Sequence, residues 1–377
     1  MSKSILVLVI FSALLSCTNS SKKTNSSTVD VEPDSVYVPT YAKQFVIKYF
    51  QDYKIVEVND PWDDAAPKHQ IVLSSSSEYL KKNIDAIQVP LKRWVAVAST
   101  QISYADKIEG AMDALVGMAE PQYVSNPTVV NGLKTGAVRN IGTAFAPDLE
   151  LLIDIDPNVM MISPFKEDFY GPIRQAGIKL AMNSSYLENT PLGRVEWLVY
   201  VAAFFNKEQE AIDEVHNIAQ RYNNVKSLTQ ELTDKPTVVS GKIYQGVWYA
   251  AAAQSYNANY YADAGADYIF KDRPGTGSLS YDFETVYNSG AEADYWVLLV
   301  NYNGNYSYEA LTDEDVRYKD FDAFKNRKVF FSNTSKSLFY EKGLLEPDVV
   351  LSDMVKVFHP NLLPNYMPRY YKMMTKE

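Results

Sequence analysis

The sequence predicts an α/β protein of two Rossmann-like lobes joined by one long rigid helix, with a β elaboration at its N-terminal end. Three observations carry this expectation. Continuous apolar runs such as Trp94–Ser99 and Val159–Ser163 alternate with helical segments, as buried parallel strands do. From Lys207 to Glu231 apolar residues recur at helical spacing, with no Gly or Pro among them. The strand–helix alternation then resumes.

Taken in order, residues 1–16 read as a signal peptide. Lys3 supplies a positive start, and the apolar run Ile5–Leu15 is too short to span a bilayer. Leu14-Leu15-Ser16-Cys17 reads as a lipobox, with acylation of Cys17 anchoring the protein to a membrane. Cys17 is the only cysteine, so disulfides and thiolate metal sites are excluded. Residues 17–40, rich in Ser, Thr, Asn and Lys, read as a disordered tether.

Residues 41–93 form the β elaboration. Phe45–Tyr49 and Lys54–Val58 flank a short Gln-Asp-Tyr connection, as in a hairpin, and Gln70–Ser74 follows as a third strand. Residues 94–206 make the first lobe. Its elements are the strand Trp94–Ser99, a loop at 100–103, a helix ending near Gly110, a short helix Asp148–Ile155, the strand Val159–Ser163 and the strand Lys179–Met182. Residues 207–233 are the joining helix, which at about 1.5 Å per residue spans roughly 30–38 Å. Residues 234–377 make the second lobe. Its strands are Thr237–Ser240, Gly246–Tyr249, Trp296–Val300 and Val329–Phe331, and a helix covers Asp348–Phe358. The halves echo one another: Asp148-Leu-Glu-Leu-Leu and Asp282-Phe-Glu-Thr-Val each open a short helix before a strand.

Composition narrows the function. With 36 basic and 46 acidic residues the net charge is −10, and no basic stripe is present to neutralise phosphates, which argues against nucleic acid. The 28 tyrosines stand out, because a flat ring with a polar tip suits a wide cleft for a bulky, partly polar ligand. No nucleophile elbow, Walker A sequence or dinucleotide fingerprint occurs. His69, His216 and His359 lack ligand spacing, so a bare metal site is not expected, and neither is a cofactor. A metal already held in an organic chelate would need no such ligands.

Several pieces now fall in a recognisable order: WVAVAST from Trp94, DALVGMAE from Asp113, APDLELLIDIDPNVMMIS from Ala146, QAGIKLAM from Gln175 and NTPLGRVEWL from Asn189. After the long helix come YYADAGADYIFKD from Tyr260 and YDFETV from Tyr281. Together they resemble the periplasmic binding proteins of iron–siderophore, haem and cobalamin importers, the type with a rigid helical spine. The strands before Trp94 and the tail HPNLLPNYMPRYY look like an elaboration of Bacteroidetes lipoprotein members. The resemblance implies a non-enzymatic, periplasm-facing lipoprotein that binds a metal chelate between its lobes and hands it to an ABC permease. An iron–siderophore or haem is the first expectation, cobalamin the second and a chelatase-like enzyme the third.

It further implies that Glu150 and Glu284 dock on arginines of the importer. Each also falls in the first turn of a short helix, where the helix dipole favours a carboxylate by about 0.3–1 kcal/mol. Loops at the carboxyl ends of strands should line the cleft. This selects Ser99, Thr100, Gln101, Tyr123, Phe165 and Lys166 in the first lobe, and Trp248, Tyr249, Arg273 and Tyr302 in the second. Trp248 and Tyr249 could stack on a macrocycle or catechol, and Arg273 or Lys166 could pair with an anionic chelate. Cobalamin-binding relatives can carry a tryptophan just before the first docking glutamate, whereas this chain has Gly142-Thr-Ala-Phe145 there.

Overall fold

The computed structural model describes residues 31–377 except Asp64, Lys166, Glu167, Lys376 and Glu377. The signal segment, Cys17 and Lys166 therefore lie outside the described residues. The chain divides at Pro33 into residues 1–33, of which only Val31–Pro33 are described, without helix or strand, and the unit Asp34–Glu377.

That second unit opens with a five-stranded sheet. Strands β1 (Ser35–Tyr37), β2 (Phe45–Tyr49), β3 (Lys54–Val58) and β4 (His69–Ser74) run antiparallel, and β5 (Ile87–Gln88) lies parallel to β4. Alternate residues Phe45, Ile47, Val56, Val58, Ile71 and Leu73 are buried, as strand alternation requires. The buried face meets the helix Pro191–Ala203, with the Phe45 ring 5.0 Å from Trp197 and 5.7 Å from Tyr200. The expected tether therefore ends earlier than residue 40. The Glu196 carboxylate accepts from the Tyr37 hydroxyl at 2.8 Å and from the backbone N–H groups of Thr40, Tyr41 and Ala42 at 2.6–2.7 Å. A polar composition gives no hint of acceptors supplied more than 150 residues away in the chain.

The first lobe holds β6 (Trp94–Ala96), β7 (Leu115–Met118), β8 (Arg139–Asn140), β9 (Val159–Ile162) and β10 (Leu180–Met182), all parallel in the order β10-β9-β6-β7-β8. The winding reverses between β6 and β9, so a crevice opens at their carboxyl ends. Strand β6 stops short of the expected Ser99 because the helix Ser99–Ala105 begins there. The Gln101 side chain accepts from the backbone of Val97 at 2.8 Å and Ala98 at 3.3 Å and turns the chain early.

The second lobe contains β11 (Thr237–Ser240), β12 (Lys242–Tyr244), β13 (Val247–Ala251), β14 (Asp267–Tyr268), β15 (Ser278–Tyr281), β16 (Tyr295–Val300), β17 (Val329–Asn333) and β18 (Lys372–Met373). Its main sheet has the order β14-β11-β16-β17-β18, parallel except for β18. An antiparallel sheet β12-β13-β15 folds over it. The turn between β11 and β12 needs glycine: Gly241 has φ +81°, and a Cβ there would meet the Tyr249 carbonyl oxygen at 1.9 Å. Just after the tail segment 359–371, Lys372–Met373 adds the last, antiparallel strand of this sheet.

Between the sheets runs the helix Glu208–Ser227, packed on Pro191–Ala203 and on Pro347–Phe358. Ala211, Val215, Ile218, Ala219 and Tyr222 form its buried face. It stops six residues before the expected 233, where Thr229 Oγ1 donates to the carbonyls of Lys226 at 2.9 Å and Asp263 at 2.7 Å. Its neighbour Pro191–Ala203 is buried on nearly every side, consistent with an almost wholly apolar sequence.

Candidate functional site

A cavity of about 690 Å³ opens at the carboxyl ends of β11 and β16, within the size range of small-molecule sites. Gly241 and Lys242, residues Val297–Asn301 and the β13 residues Tyr249–Ala251 line one side. Thr100 of the first lobe and Arg194 of the helix Pro191–Ala203 line the other, with Phe339, Tyr340 and Tyr371. Tyr244, Tyr249, Tyr256, Tyr261, Tyr340 and Tyr371 all reach this surface, so part of the tyrosine excess is spent here. Burial pushes the phenols of Tyr256, Tyr261, Tyr340 and Tyr371 above their usual range, so at neutral pH they remain neutral hydrogen-bond donors.

Two cations line the cavity, and their situations differ. Lys242 Nζ pairs with both carboxylate oxygens of Glu314, at 2.5 and 2.6 Å. Arg194 has no carboxylate partner among the described residues. Its Nε donates to the Glu188 carbonyl at 3.1 Å, its Nη2 to the Tyr186 carbonyl at 2.7 Å, and its guanidinium lies 3.8 Å from the centre of the Tyr256 ring.

The lobes also touch beside the cavity. Ser103 Oγ donates to the carbonyls of Tyr340 at 3.0 Å and Glu341 at 2.6 Å, and the Glu341 carboxylate accepts from the Ser125 backbone at 2.9 Å. Leu338, at φ +54°, turns this loop through the left-handed region to present Phe339 and Tyr340.

Of the residues expected in the cleft, Thr100 and Tyr249 line the cavity. Trp248 does not reach it. It is fully buried, donates to the Ser240 carbonyl at 2.9 Å and stacks on Trp296 at 5.6 Å. Neighbouring strand residues point to opposite faces, so only one of Trp248 and Tyr249 could have faced the ligand. Gln101 is also buried and spent on its own helix start. Ser99, half-buried, lies outside the lining, as do the exposed Tyr123 and Arg273. Tyr302 sits past the cavity edge with its ring 5.2 Å from Tyr306. Phe165 joins Phe145 at 4.7 Å and Phe169 at 5.7 Å in an aromatic cluster beyond the carboxyl end of β9.

Sequence reasoning missed Arg194, Tyr256, Tyr340 and Tyr371. Thr190, whose side chain accepts from the Gly193 backbone, and Pro191 after it were a legible helix start that would have placed Arg194 in a first turn. The two distal tyrosines arrive by a loop and a tail that carry no local signal.

Glu150 and Glu284 are built alike. Asp148 caps Leu149–Ile155 by accepting from Leu151 at 3.0 Å, and Asp282 caps Phe283–Gly290 by accepting from Thr285 at 2.6 Å. Both glutamates are exposed, two residues after the cap, with Glu284 3.7 Å from Arg317. Among the described residues, no group of three or more His, Cys, Asp or Glu is arranged to hold a metal ion.

Two parallel-stranded lobes with a cavity between them lead to known proteins. The periplasmic binding protein family matches residues 97–334, which is more than half of the chain. The chain belongs to that family. The uncharacterized lipoprotein MJ0878 of Methanocaldococcus jannaschii is 30% identical over 305 residues, covering 78% of this chain and 71% of that protein. Among solved structures, a periplasmic heme binding protein from Pseudomonas aeruginosa superposes with a TM-score of 0.59 at 15% identity, covering 76% of this chain and 99% of that one. The periplasmic vitamin B12 binding protein BtuF of Vibrio cholerae gives 0.52 at 13% identity, covering 71% and 97%. The family and these neighbours are substrate-binding proteins rather than enzymes. No helix among the described residues is long and apolar enough to cross a membrane.

Proposed function

We propose that this protein is the solute-binding component of an ABC importer. It captures a metal chelate, an iron–siderophore or haem, in the interlobe cavity and delivers it to the permease through Glu150 and Glu284. Cys17 would tether it to a membrane on the periplasmic side. The cavity carries the reading: tyrosine faces and one carboxylate-free guanidinium suit a bulky, partly polar cargo that brings its own metal ligands. The likeness to a periplasmic heme binding protein and to a vitamin B12 binding protein supports the same cargo class.

Cobalamin is the second reading, weakened by the absence of the tryptophan that some cobalamin-binding relatives carry before the first docking glutamate. Phe145 is 53% exposed within the Phe145–Phe165–Phe169 cluster, at the place where some cobalamin-binding relatives carry a stacking tryptophan. The buried Trp248 cannot take that role. Incubation with haem, cobalamin and ferric siderophores, followed by absorption spectroscopy and native mass spectrometry, tests the proposal. One chelate should bind at one per chain; retention of none would sink it.

The helix Glu208–Ser227 acts as a spine in this reading. Bending it would break hydrogen bonds along its length, and the Ser103–Glu341 contact holds the lobes beside the cavity. Solution scattering with and without bound chelate should show only a small change in lobe angle. A large compaction would indicate a flexible hinge instead.

A further inference from the structure

Residues 338–341 touch three different places in succession. Leu338, at φ +54°, occupies the left-handed region that a residue with a side chain rarely adopts. Its carbonyl accepts from the N–H groups of Glu341 at 3.1 Å and Lys342 at 2.9 Å, which closes a tight turn. Phe339 is buried against the tail of the second lobe, its ring 6.0 Å from Tyr370 and 5.7 Å from Tyr371. Tyr340 lines the cavity. Glu341 reaches the first lobe, where both carboxylate oxygens accept from the Ser125 backbone N–H at 2.9 Å. The segment is anchored on the second lobe at both ends. Upstream, Asn333 accepts from the Tyr302 N–H at 3.1 Å and donates to its carbonyl at 2.9 Å; downstream, Gly343–Leu345 is buried. It is a strap tied down twice on one lobe and touching the other in between.

The first lobe meets the strap with one helix. Thr100 and Ser103 lie one turn apart on Ser99–Ala105, so they share a face. Thr100 lines the cavity, and Ser103 Oγ donates to the carbonyls of Tyr340 and Glu341. Tyr340 therefore has its side chain at the cavity and its carbonyl in the contact between the lobes. A single Cα joins the two, so one cannot shift far without the other.

We propose that residues 338–341 are a latch through which the cavity sets how firmly the lobes are held together. A group pressing on the Tyr340 ring would draw its carbonyl from Ser103 and loosen Glu341 on Ser125. The link to cargo rests on the cavity being the chelate site; the latch itself does not. Because the helix Glu208–Ser227 resists bending, the latch governs the small rotation that the spine still allows. One element biased from both places is what coupling between them requires.

Amide exchange at Ser125 reads the latch directly, because this exposed N–H has no acceptor but Glu341 among the described residues. In the full chain without any chelate, Glu341→Ala should speed that exchange at least about tenfold. Ser103→Ala and Tyr340→Ala leave the Glu341 carboxylate in place, so the expected acceleration of about threefold or more in each has to travel through the strap. Each variant is first checked by thermal unfolding, and Tyr340→Leu takes over if Tyr340→Ala fails to fold. Wild-type exchange at Ser125 in Glu341→Ala would mean that the lobes are not joined there. Wild-type exchange in folded Ser103→Ala, or in the folded Tyr340 variant, would disconnect the cavity from the contact. Any of these results overturns the latch. No chelate enters the measurement, so the latch and the chelate reading stand or fall separately.

Discussion

Exchanging both Glu150 and Glu284 for arginine should nearly abolish chelate uptake while leaving chelate affinity unchanged. Each glutamate is exposed on the first turn of a capped helix, and neither lines the cavity. Reversing its sign would turn the proposed attraction to importer arginines into a like-charge contact, which across an interface costs several kcal/mol. Each single reversal should therefore slow transport by at least about tenfold, equivalent to about 1.4 kcal/mol. Glu284→Arg would also face Arg317, now 3.7 Å from the carboxylate, so Glu284→Gln serves as the milder variant at that position. Calorimetry of chelate binding and uptake in a reconstituted transporter, on the same preparations, would decide. Normal transport by the double variant would sink the docking role. A collapse of chelate affinity would instead place the glutamates in the cargo site or the fold.

Asp353→Ala should destabilise the fold by about 2–6 kcal/mol, at about 1–3 kcal/mol for each buried donor left without a partner. Asp353 is fully buried on the helix Pro347–Phe358. It accepts from the Tyr366 hydroxyl at 2.7 Å and from the backbone of Arg369, Tyr370 and Tyr371 at 2.6–2.9 Å. Tyr370 and Tyr371 are buried themselves. Glu196 holds Tyr37 and Thr40–Ala42 in the same manner, so one carboxylate, one tyrosine hydroxyl and three successive N–H groups fasten each of these two segments to a helix. The Asp353 clamp also reaches the cavity, because Tyr371 lines it. Denaturant unfolding should register the loss of stability, and chelate titration a parallel loss of affinity. Wild-type stability in the variant would show that the tail is held by β18 and its apolar contacts alone.

The Asp353 clamp, and the Glu188 carboxylate that accepts from the backbone of Lys43 and Gln44 and from the Trp197 ring nitrogen, should not open in mild acid. Burial raises the Asp353 and Glu188 carboxyls above their usual range despite the hydrogen bonds that pull them down. With the folded value above the unfolded one, each group's stabilising contribution is full below its unfolded value and declines as pH rises through the folded one. Protonation of these two groups therefore cannot drive acid unfolding. Any stability lost in acid must come from carboxyls held low, such as Asp294 beside Thr237 and Asp315 beside Arg317.

The parts that could be read from sequence are those whose cause is local. Strands β9 and β16 announce themselves as continuous apolar runs because both faces of a parallel sheet are covered. The long helix shows in its spacing, and the caps Asp148 and Asp282 show because a cap acts on N–H groups three residues away. Those signals were enough for two α/β lobes, their order and the placement of Glu150 and Glu284 at helix starts. The cleft is a different matter. Alternation says that Trp248 and Tyr249 face opposite ways, but only the position of β13 over the main sheet decides which one meets the ligand. Arg194 has no carboxylate partner among the described residues while Lys242 is paired with Glu314, and Tyr340 and Tyr371 reach the same cavity from segments far along the chain. The end of the tether is likewise set by Glu196, 154 residues beyond Ala42. Periodicity and capping act within a turn or a strand, and so the sequence by itself determined the elements. Which charges are answered and which rings face the cleft depends on neighbours brought together only by folding, and that the tertiary structure alone decided.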